Sequence, residues 1–328
     1  MGMIFSLIAV IFLVAIAFIG TKLHLTGLFG VAIPYLAFLV FIAGFARKVI
    51  KWGQSPVPFH IPTTCGQQKS LPWIKQSKLD NPSTTLGVIG RMALEVLLFR
   101  SLFRNLKTDK TDGGPVYGSN KWLWLGGLAF HVTFFVVFIR HLRFFTEPVP
   151  AWVNILDAVD GFIQVGVPHL LITGVVLLAA AGYLLLRRIF NPQVQYISLA
   201  ADYFPLFLIV GIALSGILMR YFIKVDIIKV KELTMGLATL KATVPDGIGV
   251  IFFIHLFLIS VLFAYFPFSK LMHLGGVFLS PTRNLANNSR AVRHINPWNP
   301  KVKLHTYEEY EEEFREVMKS EGIPVEKE

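Results

Sequence analysis

Two apolar stretches decide the fold. They are Trp122–Phe145, WLWLGGLAFHVTFFVVFIRHLRFF, and Ile248–Leu274, IGVIFFIHLFLISVLFAYFPFSKLMHL. Each is long enough to cross the hydrocarbon core of a bilayer as a helix. The first carries His131 and His141, and the second carries His255 and His273. A histidine inside a bilayer costs free energy unless it is paired or liganded. Two histidines on each of two spans therefore suggest two haems, each clamped by imidazoles from opposite helices.

The rest of the chain has the composition of a polytopic membrane protein. Of its 328 residues, 54% are hydrophobic and 16% are charged, whereas a soluble domain has about 25% charged residues. The first apolar run lacks a basic n-region and is longer than a usual signal-peptide core, so a retained helix is expected. The sequence thus predicts an all-α bundle of six transmembrane helices. The other four apolar runs are Ile4–Gly20, Val31–Ile50, Phe162–Leu186 and Tyr203–Phe222.

The predicted spans divide the chain into four parts. They are two N-terminal transmembrane helices (1–50), an insertion with a Pro-rich loop and an amphipathic helix (51–121), a four-helix haem-binding core (122–274) and a polar tail (275–328). Of the 31 lysines and arginines, 23 lie in 47–121, 187–201 and 270–328. The positive-inside rule then places these segments and both termini in the cytoplasm. The net charge of +11 therefore reflects topology in a cytoplasmic (inner) membrane, not nucleic-acid binding.

The spacing of the histidines predicts how they pair. Eighteen residues are five helical turns, so His255 and His273 share a face, whereas ten residues leave His131 and His141 about 80° apart. Because the third and sixth spans are antiparallel, the pairs nest, with His131–His273 toward the cytoplasm and His141–His255 toward the outside. Ten residues rise about 15 Å and eighteen about 27 Å. The difference must be absorbed by tilt, by oblique side chains or by a bend at Pro267.

Several neighbours of the histidines have two interpretations each. Gly126 and Gly127 could let a porphyrin approach the backbone, or they could serve tight helix packing. Arg140 and Arg143 could pair with haem propionates, or they could extend to the membrane interface. His169, predicted inside the fourth span near its outer end, is either a polar core residue or a proton acceptor beside the outer haem.

The segments outside the spans also leave alternatives open. Thr85–Leu106 reads as an amphipathic helix that lies on the cytoplasmic leaflet or packs on a partner subunit. Thr306 and Glu309 form a capping-box pattern that starts an acidic helix, either solvated or docked to a cytoplasmic partner. The single cysteine, Cys65, excludes a thiolate-held iron–sulfur cluster within this chain. Iron bound here must therefore be held by histidine.

The dual spacing, His-x9-His on one helix and His-x17-His on a later one, resembles the haem b subunits of respiratory nitrate reductase, the gamma-subunit family, over roughly Val31–Leu274. The chain is more similar still to the DsrM family, the membrane cytochrome b subunits of the sulfite-reduction-linked Dsr complex. The extra first helix and the long insertion distinguish this chain from the five-helix nitrate reductase subunit, and both favour the DsrM family. The stretches that carry this similarity are Ile61–Ser70 (IPTTCGQQKS), Arg91–Arg100 (RMALEVLLFR) and Asn296–Pro300 (NPWNP).

The resemblance implies two haem b groups and a function in dissimilatory sulfur metabolism. Members of the family oxidise menaquinol at the outer haem and pass electrons inward to a cytoplasmic iron–sulfur subunit related to heterodisulfide reductase, the DsrK type. Quinol would then bind beside the His141–His255 pair, where the candidate polar residues are His169, Arg140, Asp157 and Asp160. The insertion and the tail would form the docking surface for the iron–sulfur subunit, with Cys65 as a small buried residue at that contact.

Two other classes of function stand beside this one. A membrane transporter is disfavoured because the apolar spans contain few acidic residues, with Asp202 and Asp246 near span ends. A purely structural membrane anchor for peripheral subunits would leave the four histidines without an explanation. Haem bands in an optical spectrum separate both classes from an electron-transfer subunit.

Overall fold

The computed structural model describes residues 1–55, 66–164, 167–279, 284–288 and 304–327. The protein is mostly helical, at 69% of these described residues. Six helical segments are long and apolar enough to cross a membrane, which confirms the predicted six-helix membrane bundle. These segments are Gly2–Lys22, Leu28–Gly53, Lys121–Phe144, Ile172–Phe190, Ala200–Phe222 and Val250–Phe268.

The element order follows the spans, with short elements in the connections. Four spans contain a terminal segment of another helix type: π-helical Leu28–Ala32 and Leu218–Phe222, and 3₁₀-helical Leu142–Phe144 and Phe266–Phe268. The helices are α1 (Gly2–Lys22), α2 (Ile33–Gly53), α3 (Thr85–Leu98), α4 (Arg100–Arg104), α5 (Lys121–His141), α6 (Ala151–Asp160), α7 (Ile172–Phe190), α8 (Pro192–Ile197), α9 (Ala200–Ile217), α10 (Ile227–Ala238), α11 (Val250–Tyr265), α12 (His273–Leu279) and α13 (Tyr307–Ser320). The strands are β1 (Leu106–Thr111) and β2 (Gly114–Ser119).

The spans pack around a group of three helices. α1, α9 and α11 all pack on one another, α2 packs on α11, and α7 packs between α9 and α5. A buried apolar cluster joins α1, α10 and α11 through Ala17, Leu233 and Phe252. Large apolar side chains such as Phe12 of α1 and Phe135 of α5 are exposed, as expected for helices that face lipid rather than water.

The fourth span begins ten residues later than predicted, and this corrects the position of His169. Helix α7 starts at Ile172 instead of Phe162, so His169 lies in the connecting segment before the span and not inside it. The apolar run of the sequence continues across this segment, but Pro168 precedes the histidine and lacks a backbone N–H. The amide of Leu171 is bound by the Tyr221 hydroxyl at 2.8 Å, outside any helical ladder.

The sixth span ends at a break around Pro267. Helix α11 ends at Tyr265, a 3₁₀ turn holds Pro267, and Ser269 is extended at φ −119° and ψ 176°. A second 3₁₀ turn, Lys270–Met272, leads to His273, the first residue of α12. His273 therefore lies beyond the end of the sixth span and not inside it, which corrects the prediction. A Cβ on Gly44 of α2 would lie 2.8 Å from the Pro267 Cβ, so the close approach needs a glycine. A bend at Pro267, one of the ways in which the different rises of the two histidine spacings could be reconciled, is therefore present.

The insertion departs from its prediction. The single helix expected over Thr85–Leu106 is broken at Phe99, which is left-handed at φ 49°, and the segment forms α3 and α4. Leu106 then opens an antiparallel hairpin, in which it pairs with Ser119, and this hairpin was not predicted. Thr84 caps α3 by accepting a hydrogen bond from the Gly87 amide.

The tail helix agrees with its prediction. Thr306 Oγ1 accepts from the Glu309 amide at 3.2 Å, and Glu309 Oε2 accepts from the Thr306 amide at 3.1 Å. This reciprocal pair is the capping box expected from the sequence. It fixes the start of α13 at Tyr307.

Candidate functional site

The four membrane histidines meet as two pairs, one near each end of the bundle. The ring centroids of His131 and His273 are 5.9 Å apart, and those of His141 and His255 are 6.4 Å apart. Metal–imidazole bonds of about 2 Å place the centroids of two imidazoles on opposite sides of one ion about 6 Å apart. These are the pairs that the antiparallel arrangement predicts, and each has the spacing of two axial ligands.

Both histidines of α5 are held by their own helix. His131 Nδ1 donates to the Gly127 carbonyl at 2.7 Å, and His141 Nδ1 donates to the Val137 carbonyl at 2.7 Å. A carbonyl oxygen only accepts, so the proton of each neutral ring is at Nδ1. The lone pair of each Nε2 is therefore available to a metal, in the tautomer that metal-binding histidines adopt.

The partner histidines are held differently but with the same result. His255 Nδ1 lies 2.9 Å from Ser215 Oγ of α9, and this hydroxyl donates to the Gly211 carbonyl at 2.8 Å. The hydroxyl proton is thus used, and His255 Nδ1–H is the donor to Ser215. His273 Nδ1 donates to the Lys270 carbonyl at 2.8 Å. Within the described residues, none of the four Nε2 atoms has a hydrogen-bond partner.

The insertion reaches the His131–His273 pair. The Phe99 ring from the break between α3 and α4 lies edge-on to His131, with centroids 4.9 Å apart, and the Phe130 ring lies at 5.1 Å. Trp124 Nε1 donates to the Leu98 carbonyl at 2.7 Å, which fixes the break against α5. Part of the insertion is therefore a wall beside this ligand pair.

The two glycines of α5 play different parts. A Cβ on Gly126 would lie 2.5 Å from the Tyr183 ring of α7, which favours helix packing over contact with a porphyrin. A Cβ on Gly127 would meet only Leu102, at 3.7 Å, and the Gly127 carbonyl binds His131. Only Gly127 thus has a direct link to a ligand.

The polar residues predicted beside the His141–His255 pair come together. Arg140 pairs with Asp160, and their side chains are only 8% and 2% exposed. Thr173 adds two hydrogen bonds to Asp160, from its amide at 2.7 Å and its hydroxyl at 2.6 Å. Arg143 donates to Asp157 at 2.9 Å. Asp160 is thus fully engaged in joining α5, α6 and α7.

His169 lies in the same cluster. Its Nε2 is 3.8 Å from Asp157 Oδ2, and its carbonyl accepts from Arg220 Nη2 at 3.3 Å. Sequence analysis missed Arg220 and Tyr221, which the π-helical end of α9 brings here. A basic residue at the same end of the fifth span was the available signal. Among the residues that the structure describes, the buried Nε atoms of Arg140 and Arg220 have no hydrogen-bond partner.

At the opposite end, the insertion and the tail contact each other. Asn287 Nδ2 donates to Asn81 Oδ1 at 2.5 Å, and the Asn287 amide donates to the Pro82 carbonyl at 2.7 Å. Both asparagines are buried. This contact joins the two segments into one surface near the His131–His273 pair. The first half of Ile61–Ser70, which includes Cys65, and all of Asn296–Pro300 lie outside the described residues.

An ion-pair network stabilises the insertion. Asp80 accepts from Arg100, from Arg104 and, at 3.0 Å, from Ser77. Burial raises the pKa of Asp80, but the hydrogen bonds from the two arginines and Ser77 outweigh it, so the pKa falls from 3.8 to about 2. The carboxylate therefore stays charged and ties the loop before α3 to α4.

This arrangement defines a class of protein. An apolar helix bundle that brings two pairs of imidazoles face to face, each with Nδ1 bonded and Nε2 available, is typical of membrane b-type cytochromes. In the described part of the chain, no cluster of three or more histidine, cysteine or acidic side chains could hold a metal ion.

Comparison with known proteins agrees with this class and narrows it. The chain belongs to the nitrate reductase gamma subunit family, whose model matches residues 92–294, a range that includes all four histidines. It is 45% identical to the Hdr-like menaquinol oxidoreductase cytochrome b-like subunit of Archaeoglobus fulgidus, over 83% of this chain and 84% of that protein. The corresponding subunit of Archaeoglobus profundus is 41% identical, over 83% of each chain. The respiratory nitrate reductase 1 gamma chain of Escherichia coli is 27% identical, over 53% of this chain and 79% of that one.

Proposed function

We propose that the chain is a dihaem cytochrome b subunit that exchanges electrons between menaquinol and a cytoplasmic iron–sulfur subunit related to heterodisulfide reductase. The observation that carries this proposal is the pair of facing imidazole sites with free Nε2 atoms at opposite ends of one bundle. The names of the two archaeal relatives support menaquinol and an Hdr-like partner. A DsrK-like identity of the partner and a place in dissimilatory sulfur metabolism rest on the resemblance to the DsrM family.

The residues present fit two haem b groups. His131 and His273 would hold one iron, and His141 and His255 the other. The buried Arg140 Nε is an unpaired donor next to His141, and such a donor suits an anionic propionate. When bound, the two haems supply one-electron redox centres at the two ends of the bundle. The chain itself fixes the imidazoles through the hydrogen bonds at Nδ1.

Quinol oxidation fits the end that holds the His141–His255 pair. A quinol releases protons when it is oxidised, so a titratable group must lie within hydrogen-bond reach or one water away. A histidine side chain can accept such a proton, and the His169 ring is partly exposed, at 34%. Asp157 Oδ2 would stabilise the imidazolium once His169 Nε2, which lies 3.5 Å from Arg220 Nη2, exchanges that contact for the proton. Arg220 holds the His169 backbone in place.

Docking of the iron–sulfur subunit fits the opposite end. On α13, Tyr307, Tyr310, Phe314 and Val317 follow a helical spacing, and each is at least 39% exposed. Glutamates flank this stripe, which suits a partner groove with an apolar floor and basic rims. The Asn81–Asn287 contact joins the tail to the insertion, which lies against His131 through Phe99. We place this end and both termini in the cytoplasm, on the distribution of basic residues.

The test of the dihaem assignment is an optical redox titration of the purified complex. Reduced b-type bands from two haems per chain are expected, and His131→Ala should remove only one of them. His305→Ala, which alters a histidine of the exposed tail, is the matched control. A stable, inserted chain with no haem would support the anchor or transporter alternatives instead.

The quinol site has a separate test. His169→Ala should lower the rate of menaquinol-analogue oxidation and change its pH profile, while both haem spectra are retained. His24→Ala alters an exposed histidine in the α1–α2 connection at the same end and should leave the rate unchanged. An unaltered rate and pH profile in His169→Ala would remove His169 from the site.

A further inference from the structure

An ion pair links α9 to the turn before His273. Lys270 Nζ lies 2.6 Å from Asp202 Oδ1. The Asp202 side chain is only 6% exposed, whereas that of Lys270 is 69% exposed. The other carboxylate oxygen of Asp202 accepts from the Leu199 amide at 3.0 Å and so fixes the start of α9. A buried carboxylate with one cationic partner holds that partner firmly, because losing it leaves an uncompensated charge.

Lys270 also supplies the hydrogen bond that orients His273. Its carbonyl accepts from His273 Nδ1 at 2.8 Å. One residue therefore carries both the cation that binds Asp202 and the acceptor that sets the direction of the imidazole. The turn is otherwise short, since Lys270–Met272 is a single 3₁₀ turn that follows the extended Ser269.

The other three ligands do not depend on such a turn. The acceptors of His131 and His141 are carbonyls four residues earlier in the continuous helix α5. The acceptor of His255 is Ser215, a buried side chain on α9. Of the four candidate ligands, only His273 takes its acceptor from a short 3₁₀ turn rather than from a long α-helix or a buried side chain. Its orientation therefore needs an additional stabilising contact.

The start of α9, which carries Asp202, is itself held in place by other spans. Ser6 of α1 donates to the Ala200 carbonyl at 2.9 Å, and Tyr203 donates to the Arg188 carbonyl at the end of α7 at 3.1 Å. The segment that carries Asp202 is thus bonded to two other spans. The ion pair between Lys270 and Asp202 therefore anchors the turn to this fixed segment.

We infer that Asp202 and Lys270 are positioning residues for His273: their ion pair fixes the Lys270 carbonyl and, through it, the direction of the imidazole toward the haem that His131 and His273 would share. This inference rests on the proposed dihaem function. Outer partners of a metal-bound histidine set its orientation and basicity, and their loss weakens metal affinity by about 10- to 100-fold. The Asp202–Lys270 ion pair does not contact the His273 ring and acts on it only through the Lys270 carbonyl. A loss of affinity near the lower end of that range, about tenfold, is therefore expected.

The test compares Asp202→Asn with Lys270→Gln in the purified complex. Removing a negative charge and removing a positive charge shift a nearby midpoint potential in opposite directions if only charge matters. If positioning matters, both variants shift the potential of the haem that His131→Ala removes in the same direction. Both should also alter its electron paramagnetic resonance signal and weaken its retention about tenfold. The double variant should show no larger effect on the potential and on haem retention than either single variant, because each single substitution already breaks the ion pair.

Two control variants sharpen the comparison. Lys270→Arg keeps the charge and the reach and should restore the spectrum and the potential. Lys231→Gln breaks the Lys231–Glu147 ion pair at the opposite end of the bundle and should leave both haems unchanged. Shifts of opposite sign in the two single variants, or no shift in either, would overturn the inference.

Hydrogen exchange gives a readout that does not depend on haem. Amides of residues 270–279 should exchange faster in Asp202→Asn and in Lys270→Gln than in Lys270→Arg, and equal rates would overturn the inference. A chain without haem in its unsubstituted form contradicts the proposed function. Two haems in the unsubstituted chain with unchanged Asp202 and Lys270 variants contradict only this inference.

Discussion

Replacing Asp160 with asparagine should destabilise the end of the bundle that holds the His141–His255 pair. Asp160 is 2% exposed, pairs with the 8% exposed Arg140, and accepts two further hydrogen bonds from Thr173. Asparagine keeps the volume but turns one acceptor into a donor that faces these donors. Removing one partner of a buried ion pair costs about 3–5 kcal/mol. We therefore expect the free energy of unfolding to fall by about 3–4 kcal/mol.

The assay is denaturant unfolding in detergent micelles, followed by circular dichroism. Glu147→Gln is the matched control, because Glu147 is 62% exposed in its pair with Lys231, and an exposed pair contributes about 0–1 kcal/mol. A double-mutant cycle of Asp160→Asn with Arg140→Met should give a coupling energy of about 2 kcal/mol or more. The reasoning is refuted if Asp160→Asn costs no more than the control.

Three further predictions follow from single contacts. Ser215→Ala removes the acceptor for His255 Nδ1–H, so the haem proposed for this site should be retained about tenfold less well in spectra of washed membranes. The pKa of Asp80 is lowered from 3.8 to about 2, so its contribution to the stability of the insertion is present above pH 4 and lost as the pH falls toward 2. Limited proteolysis of the insertion should therefore speed up between these pH values, and Asp80→Asn should abolish this pH dependence. Thr306→Ala removes the cap of α13 and should destabilise that helix by about 1 kcal/mol, as measured by hydrogen exchange, whereas Thr306→Ser should not.

The spans and the pairing of the histidines could be predicted because both follow from distances along one chain. Span length and apolar composition give six helices, and antiparallel neighbours force nested pairs. The rise of eighteen residues exceeds that of ten, so a break near Pro267 had a geometric reason before the structure was known. These inferences need no knowledge of which helices are neighbours beyond the two that carry the ligands.

The features that were missed depend on contacts from distant parts of the chain. Tyr221 binds the Leu171 amide, and hydropathy alone extended the fourth span through this connecting segment. Ser215 could not be assigned to His255 because the sequence does not say that their helices touch. The hairpin is different: Asp112-Gly113 is a strong local hairpin signal, and it was overlooked because the preceding amphipathic pattern was extended to Leu106.

In the proposed dihaem subunit, helix α5 would set the distance for electron transfer. Both of its histidines take their acceptors from the same unbroken helix, ten residues apart, so the rise of about 15 Å fixes the separation of these two imidazoles along the helix axis. The sixth span ends at Phe268, and His273 follows a separate turn, so one helix does not fix the two opposing imidazoles. Because the rate of electron tunnelling falls steeply with distance, the fixed spacing on α5 would keep the electronic coupling between the two proposed centres constant.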